Sequence, residues 1–81
     1  MEFNVEIKVK LKKGVLNPEA STVKRALNLL GYKEVLDVKT AKIIRLSVEA
    51  ENEEKARKLV GDMCKRLLVN PVIEEYEIII S

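Results

Sequence analysis

"EFNVEIKVKLK", residues 2–12, alternates between apolar and polar side chains without a break. Phe3, Val5, Ile7, Val9 and Leu11 fall on one side; Glu2, Asn4, Glu6, Lys8, Lys10 and Lys12 fall on the other. Successive side chains of an extended chain point to opposite faces, so this period predicts a strand with one buried and one wetted face. Its β-branched residues fit the same reading. The strand needs neighbours for its backbone and a cover for its apolar side, and the remaining residues must supply both.

"KKGVLNP" ends the alternation. Gly14 permits a turn that other residues resist. Asn17 suits a helix N-cap, and Pro18 suits the first helical position because its missing N–H needs no partner there. A helix is predicted over residues 18–30, with Val23, Ala26, Leu27 and Leu30 on one stripe and Gly31 as a left-handed C-terminal cap. Two strands should follow, a short one over Val35–Lys39 and a clearer one carrying Ile44, Leu46, Val48 and Ala50. Lys39 to Lys42 would form the hairpin between them.

Asn52 can cap a second helix, whose Glu53 and Glu54 sit well at the positive end of the helix dipole. Its apolar stripe comprises Ala56, Leu59, Val60, Met63, Leu67 and Leu68. Pro71 cannot donate a backbone bond and biases Asn70 away from helix, so the helix should stop near Val69. A last strand is predicted over Val72–Ile80, with Tyr76, Ile78 and Ile80 on one face and Ile73, Glu75, Glu77 and Ile79 on the other. The order is β-α-β-β-α-β. It predicts one α+β domain over residues 1–81, a ferredoxin-like two-layer sandwich with two helices on one face of an antiparallel sheet.

Eighty-one residues leave no room for a second domain. A chain this short buries only roughly 60–65% of its unfolded surface, and such domains commonly gain stability from disulfides, metals or self-association. Cys64 has no partner cysteine and the chain has no histidine, so self-association is the expected route. The net charge is +2, with both signs interspersed, which implies no strong attraction for nucleic acid. No apolar run approaches a membrane span, and the alternating start lacks the apolar centre of a signal peptide. A cytoplasmic setting is expected.

Chemistry finds little foothold. Without histidine, Cys64 has no evident base, and its position near an apolar stripe reads as a small buried side chain. Glu75 and Glu77 share a face, but alternation turns it away from the helices and from any pocket that would raise a carboxyl pKa. Gly14, Gly31 and Gly61 form no phosphate-binding pattern. Phe3 and Tyr76 fall on the core face, so the open face lacks the aromatics that stack RNA bases.

Gly14-Val15-Leu16 is similar to the turn of ACT-type regulatory domains, many of which bind amino acids beside it. An amino-acid-sensing module is the alternative this raises. The simpler reading is a glycine turn with Val15 and Leu16 packed down before Pro18.

Two longer segments carry a broader resemblance: "LKKGVLNPEASTVKRALNLLGYKEVLDVKTAKIIRLSVEA", residues 11–50, and "MCKRLLVNPVIEEYEI", residues 63–78. Gly14-Val15-Leu16 with Pro18, Leu30-Gly31-Tyr32 and Asn70-Pro71-Val72-Ile73-Glu74 are its most specific marks. Together they resemble the PurS family, the small subunit of formylglycinamide ribonucleotide amidotransferase (phosphoribosylformylglycinamidine synthase). The resemblance implies a chain with no active site or cofactor of its own. ATP and magnesium would belong to a large synthetase subunit, and glutamine hydrolysis to a glutaminase subunit. The chain would form a homodimer, with pairing into tetramers left open, and would dock on both enzymatic subunits to support assembly and ammonia passage.

Alternation and motif position then select contact residues. Ile73, Glu75, Glu77 and Ile79, with Lys8 and Lys10 as charge partners, are expected at the dimer interface. Lys12, Lys13, Gly14, Val15, Leu16, Asn17 and Pro18, with Asn70 and Pro71, are expected to dock the other subunits.

Overall fold

Both edges of the first strand find partners, which makes it the middle of the sheet. The computed structural model describes residues 1–81. Strand β1 (Glu2–Leu11) lies between β2 (Ala41–Glu49) and β3 (Glu74–Ile80), antiparallel to each. The register places Ile7 opposite Ile44 on one side and Ile78 on the other, and Val5 between Leu46 and Ile80. Directly opposed residues share a face, so these rows make one side of the sheet apolar. The other side carries the rows Ile43–Lys8–Glu77 and Arg45–Glu6–Ile79. A slip of one residue would exchange the two faces, so burial of the first enforces the register.

Helix α1 spans Pro18–Leu29 and α2 spans Glu53–Met63. Asn17 Oδ1 accepts the Ala20 N–H at 3.1 Å, and Asn52 Oδ1 accepts the Lys55 N–H at 2.8 Å, so both predicted N-caps form. At the far end of α1, the Tyr32 N–H donates to the Leu27 carbonyl and the Gly31 N–H to that of Asn28. This is a Schellman closure, and it requires the φ of +102° that Gly31 adopts.

Helix α2 supplies the cover. Ala56, Val60, Cys64 and Val69 pack on Val5, Ile7, Val9 and Val48. After Met63 the helix widens into a π turn, Cys64–Leu68, closed by the Val69 N–H donating to the Cys64 carbonyl at 3.0 Å. The wider turn turns both Cys64 and Val69 inward and swings Leu67 into solvent, 83% exposed. Leu67 therefore leaves the stripe that regular α-helical spacing assigns it.

The α+β class with a ferredoxin-like antiparallel sheet stands, with three departures inside it. Val35–Lys39 does not form a strand; adjacent Val35 and Leu36 break the alternation, and the outer edge of β2 is left without a partner. The last strand starts at Glu74, because Val72 and Ile73 are held in a turn by the Asn70 side chain and carbonyl. Helix α1 buries only Ala20, which lies outside the main core cluster, and the helix does not cover its own sheet. It projects with its return segment as an arm whose base is tied by Asn17 Nδ2 donating to Thr40 Oγ1 at 2.9 Å. The molecule measures 52 × 24 × 14 Å as a result.

Ile7→Ala should cost about 2–5 kcal/mol, because it empties a site packed from three sides. Lys8→Ala, one residue along on the wetted face, should stay within about 0.5 kcal/mol. Urea midpoints of the two variants check the difference.

Candidate functional site

The two segments expected to dock other subunits partly converge. Lys12 leaves β1 and donates its backbone N–H to the Ile73 carbonyl at 2.8 Å, while its Nζ donates to the Pro71 carbonyl at 2.6 Å. The Asn70 N–H is held by Glu74 Oε1 at 2.8 Å, and Asn70 Oδ1 accepts the Val72 N–H at 3.1 Å. Asn70-Pro71 thus stops the π turn, reverses the chain and pins the start of β3 beside the end of β1. A depression of about 300 Å³ lies here, between Lys12, Pro71, Glu74 and Tyr76.

The rest of the proposed docking turn departs from this place. Lys13 and Gly14 carry the chain away from the sheet; Gly14 takes φ +86°, and the Val15 N–H closes the turn onto the Lys12 carbonyl at 3.1 Å. Asn17 and Pro18 then start the arm. Val15 is half-buried, but Leu16 is 81% exposed rather than packed down. The 300 Å³ depression and a second groove, between α2 and Tyr76, both miss Gly14, Val15 and Leu16.

Lys8, Lys10, Glu75, Glu77 and Ile79 do share the outer face of the sheet. Lys8 lies opposite Glu77, and Lys10 Nζ reaches Glu75 Oε1 at 3.6 Å within the same chain. Arg45 Nε pairs with Glu6 Oε1 at 3.0 Å beside Ile79. Exposed pairs of this kind contribute about 0–1 kcal/mol each. Ile43 and Ile79 are the apolar residues among them, and Ile73 lies in the turn before β3.

Cys64 is fully buried, and burial pushes its thiol pKa up. A thiol held in that state is a poor nucleophile. Tyr76 lies on the helix side of the sheet opposite Val9, at the open edge, and lines both depressions. The arrangement offers surfaces for contact and no constellation of reacting groups.

A family model described as PurS, phosphoribosylformylglycinamidine (FGAM) synthase, matches residues 4–81. The chain belongs to the PurS family. The phosphoribosylformylglycinamidine synthase subunit PurS of Methanocaldococcus jannaschii is 54% identical over 76 residues, covering 94% of this chain and 92% of that one. The crystal structure of M. jannaschii PurS, a subunit of formylglycinamide ribonucleotide amidotransferase in the purine biosynthetic pathway, superposes with a TM-score of 0.88 at 51% identity. It covers 98% of this chain and 95% of its own. A chain in the structure of PurLQS from Thermotoga maritima gives a TM-score of 0.90 at 40% identity, covering 100% of this chain and 99% of that one.

What the sequence reading missed on this PurS chain is the arm. Leu29, Leu30, Tyr32 and Leu36 are all more than half exposed, and none was singled out as a contact. Leu29 beside Leu30, off the helical stripe, was the available signal. The raised Cys64 pKa has a consequence for stability. Its contribution is fully present below the unfolded thiol pKa and is lost as pH rises through the folded value, because the unfolded thiol ionises first. Urea midpoints should therefore fall at alkaline pH, and Cys64→Ala should flatten that fall. Native Cys64 should react with thiol reagents only as fast as the chain opens.

Proposed function

We propose that this chain is the non-catalytic small subunit of the phosphoribosylformylglycinamidine synthase complex of de novo purine biosynthesis. It joins the synthetase and glutaminase subunits and supports ammonia transfer from glutamine to formylglycinamide ribonucleotide. The observation that carries this reading is the full-length likeness to a chain of PurLQS from T. maritima. ATP and magnesium act on the synthetase subunit in this reading, and the present chain holds no cofactor. The setting is the cytoplasm; no helix is long and apolar enough to cross a membrane.

The joint of Lys12 with Asn70-Pro71 suits docking. It is exposed, and its backbone is held by hydrogen bonds from Lys12 to Pro71 and Ile73 and by those that close the Asn70–Glu74 turn. A surface already rigid loses little entropy when bound. The Gly14–Pro18 turn, which carries the chain away from this joint toward the arm, is a separate docking segment in the same reading. Homodimer formation belongs to the same reading, and two surfaces are available for it: the outer sheet face around Ile79, and the arm.

Reconstitution tests the proposal. Synthetase and glutaminase subunits of the same organism, given ATP, magnesium, glutamine and substrate, should make product from glutamine only when this chain is added. Equal synthesis without it, together with separate elution of the three chains, would overturn the reading. Lys12→Glu breaks the bond to Pro71 and inverts a charge, and should weaken co-assembly about tenfold, or 1.4 kcal/mol, while the chain stays folded.

A further inference from the structure

We propose that the outer edge of β3 takes up an extended, acidic segment of a partner subunit as a further strand of the sheet, beside α2. This rests on the docking role proposed above and adds to it a second contact, of stated chemistry, away from the Lys12 joint.

The backbone makes the first case. Asn4 and Ser81 exchange hydrogen bonds in both directions, and the Lys12 N–H donates to the Ile73 carbonyl, which fixes the alternation along the β1–β3 ladder. Glu75, Glu77 and Ile79 therefore bond to β1, while Tyr76, Ile78 and Ile80 turn their N–H and C=O groups away from the sheet. An open row of this kind is a template for another strand. One position is guarded, where Arg57 Nη1 donates to the Ile78 carbonyl at 3.2 Å. That guard is easily displaced, since Arg57 otherwise meets only exposed Glu53, at 3.7 Å.

Space beside the edge makes the second case. A groove of about 600 Å³ lies between α2 and Tyr76, and the depression of about 300 Å³ reaches Tyr76 from the Pro71 side. A strand added to β3 would direct alternate side chains to the helix side of the sheet, where the groove lies.

Charge names the occupant. Lys58 and Lys65 line the groove and pair with no carboxylate, whereas Lys55 is taken by Glu51. Asp62, the one carboxylate of the groove, is answered by Arg66 at 3.6 Å. Acidic side chains facing inward would meet Lys58 and Lys65. Arg57, once off the Ile78 carbonyl, has the planar fork that binds a carboxylate with two hydrogen bonds. Leu59 and Tyr76 supply apolar contact between these charges.

A second copy of this chain does not fit the groove. The helix-side residues of its β2, Lys42, Ile44, Leu46 and Val48, are basic or apolar. Those of its β3 are Tyr76, Ile78 and Ile80, with Glu74 already held by the Asn70 N–H. Neither edge strand brings free carboxylates to the lysines, so the segment belongs to a different polypeptide.

Amide exchange in the assembled complex tests this. When the synthetase and glutaminase subunits of the same organism are added, exchange at Tyr76 and Ile78 should slow about tenfold or more relative to the chain alone. Glu77, already held in the ladder, serves as the reference. The Lys58→Glu/Lys65→Glu chain should co-assemble about tenfold less tightly at low salt, and about 0.5 M sodium chloride should narrow that gap. Co-assembly without protection at Tyr76 and Ile78 would sink the edge contact and spare the docking role, as would unchanged affinity of the double variant. Absence of any co-assembly would remove both.

Discussion

The structure depends on β1 being paired on both sides. Its odd-numbered residues bond to β2 and turn their side chains to the apolar face; its even-numbered residues bond to β3 and carry the charges. One periodicity thus sets both hydrogen bonding and burial. Ile7 has no exposed surface and has isoleucine on either side, so the sheet closes around it. The partner strands come from residues 41–49 and 74–80, far along the chain, and the entropy of bringing them together is offset only when α2 seals the apolar face.

That seal is small. Nine residues are buried, none of them polar, and most belong to one cluster between α2 and the sheet. A core of this size leaves a modest margin over conformational entropy. Every buried polar side-chain atom has a hydrogen-bond partner, so the margin is not reduced by unpaired groups. What the core lacks is area, and the arm holds that area outside it. If the chain self-associates as proposed above, its stability should grow with its concentration.

The same economy shapes the junction proposed above for docking. The π turn, Asn70-Pro71 and Lys12 lock the end of α2, the start of β3 and the end of β1 into one edge. The turn's geometry hides Cys64 and Val69 and leaves Pro71 and Lys12 outside. Its reactive-looking residues are accordingly either buried or paired with neighbours, while its rigid edge is presented. This suits the docking role proposed above.

The three strands that form, the helices, their caps and the faces of β1 were legible in the sequence because each follows from neighbours within a few residues, whereas the strand expected over Val35–Lys39 did not form. Alternation marked Val5, Ile7 and Val9 for burial, Asn17 and Asn52 capped their helices, and Gly31 took the left-handed turn. The PurS resemblance was likewise readable along the chain. Long-range packing decided the rest. The stripe of α1 looked like core, but whether its own sheet or another surface covers it depends on the path between Leu11 and Ala41. The π turn moved Leu67 outward because helical spacing read from sequence assumes an unbroken α-helix. Local periodicity determines which side of an element seeks burial; only the tertiary structure decides what lies against it.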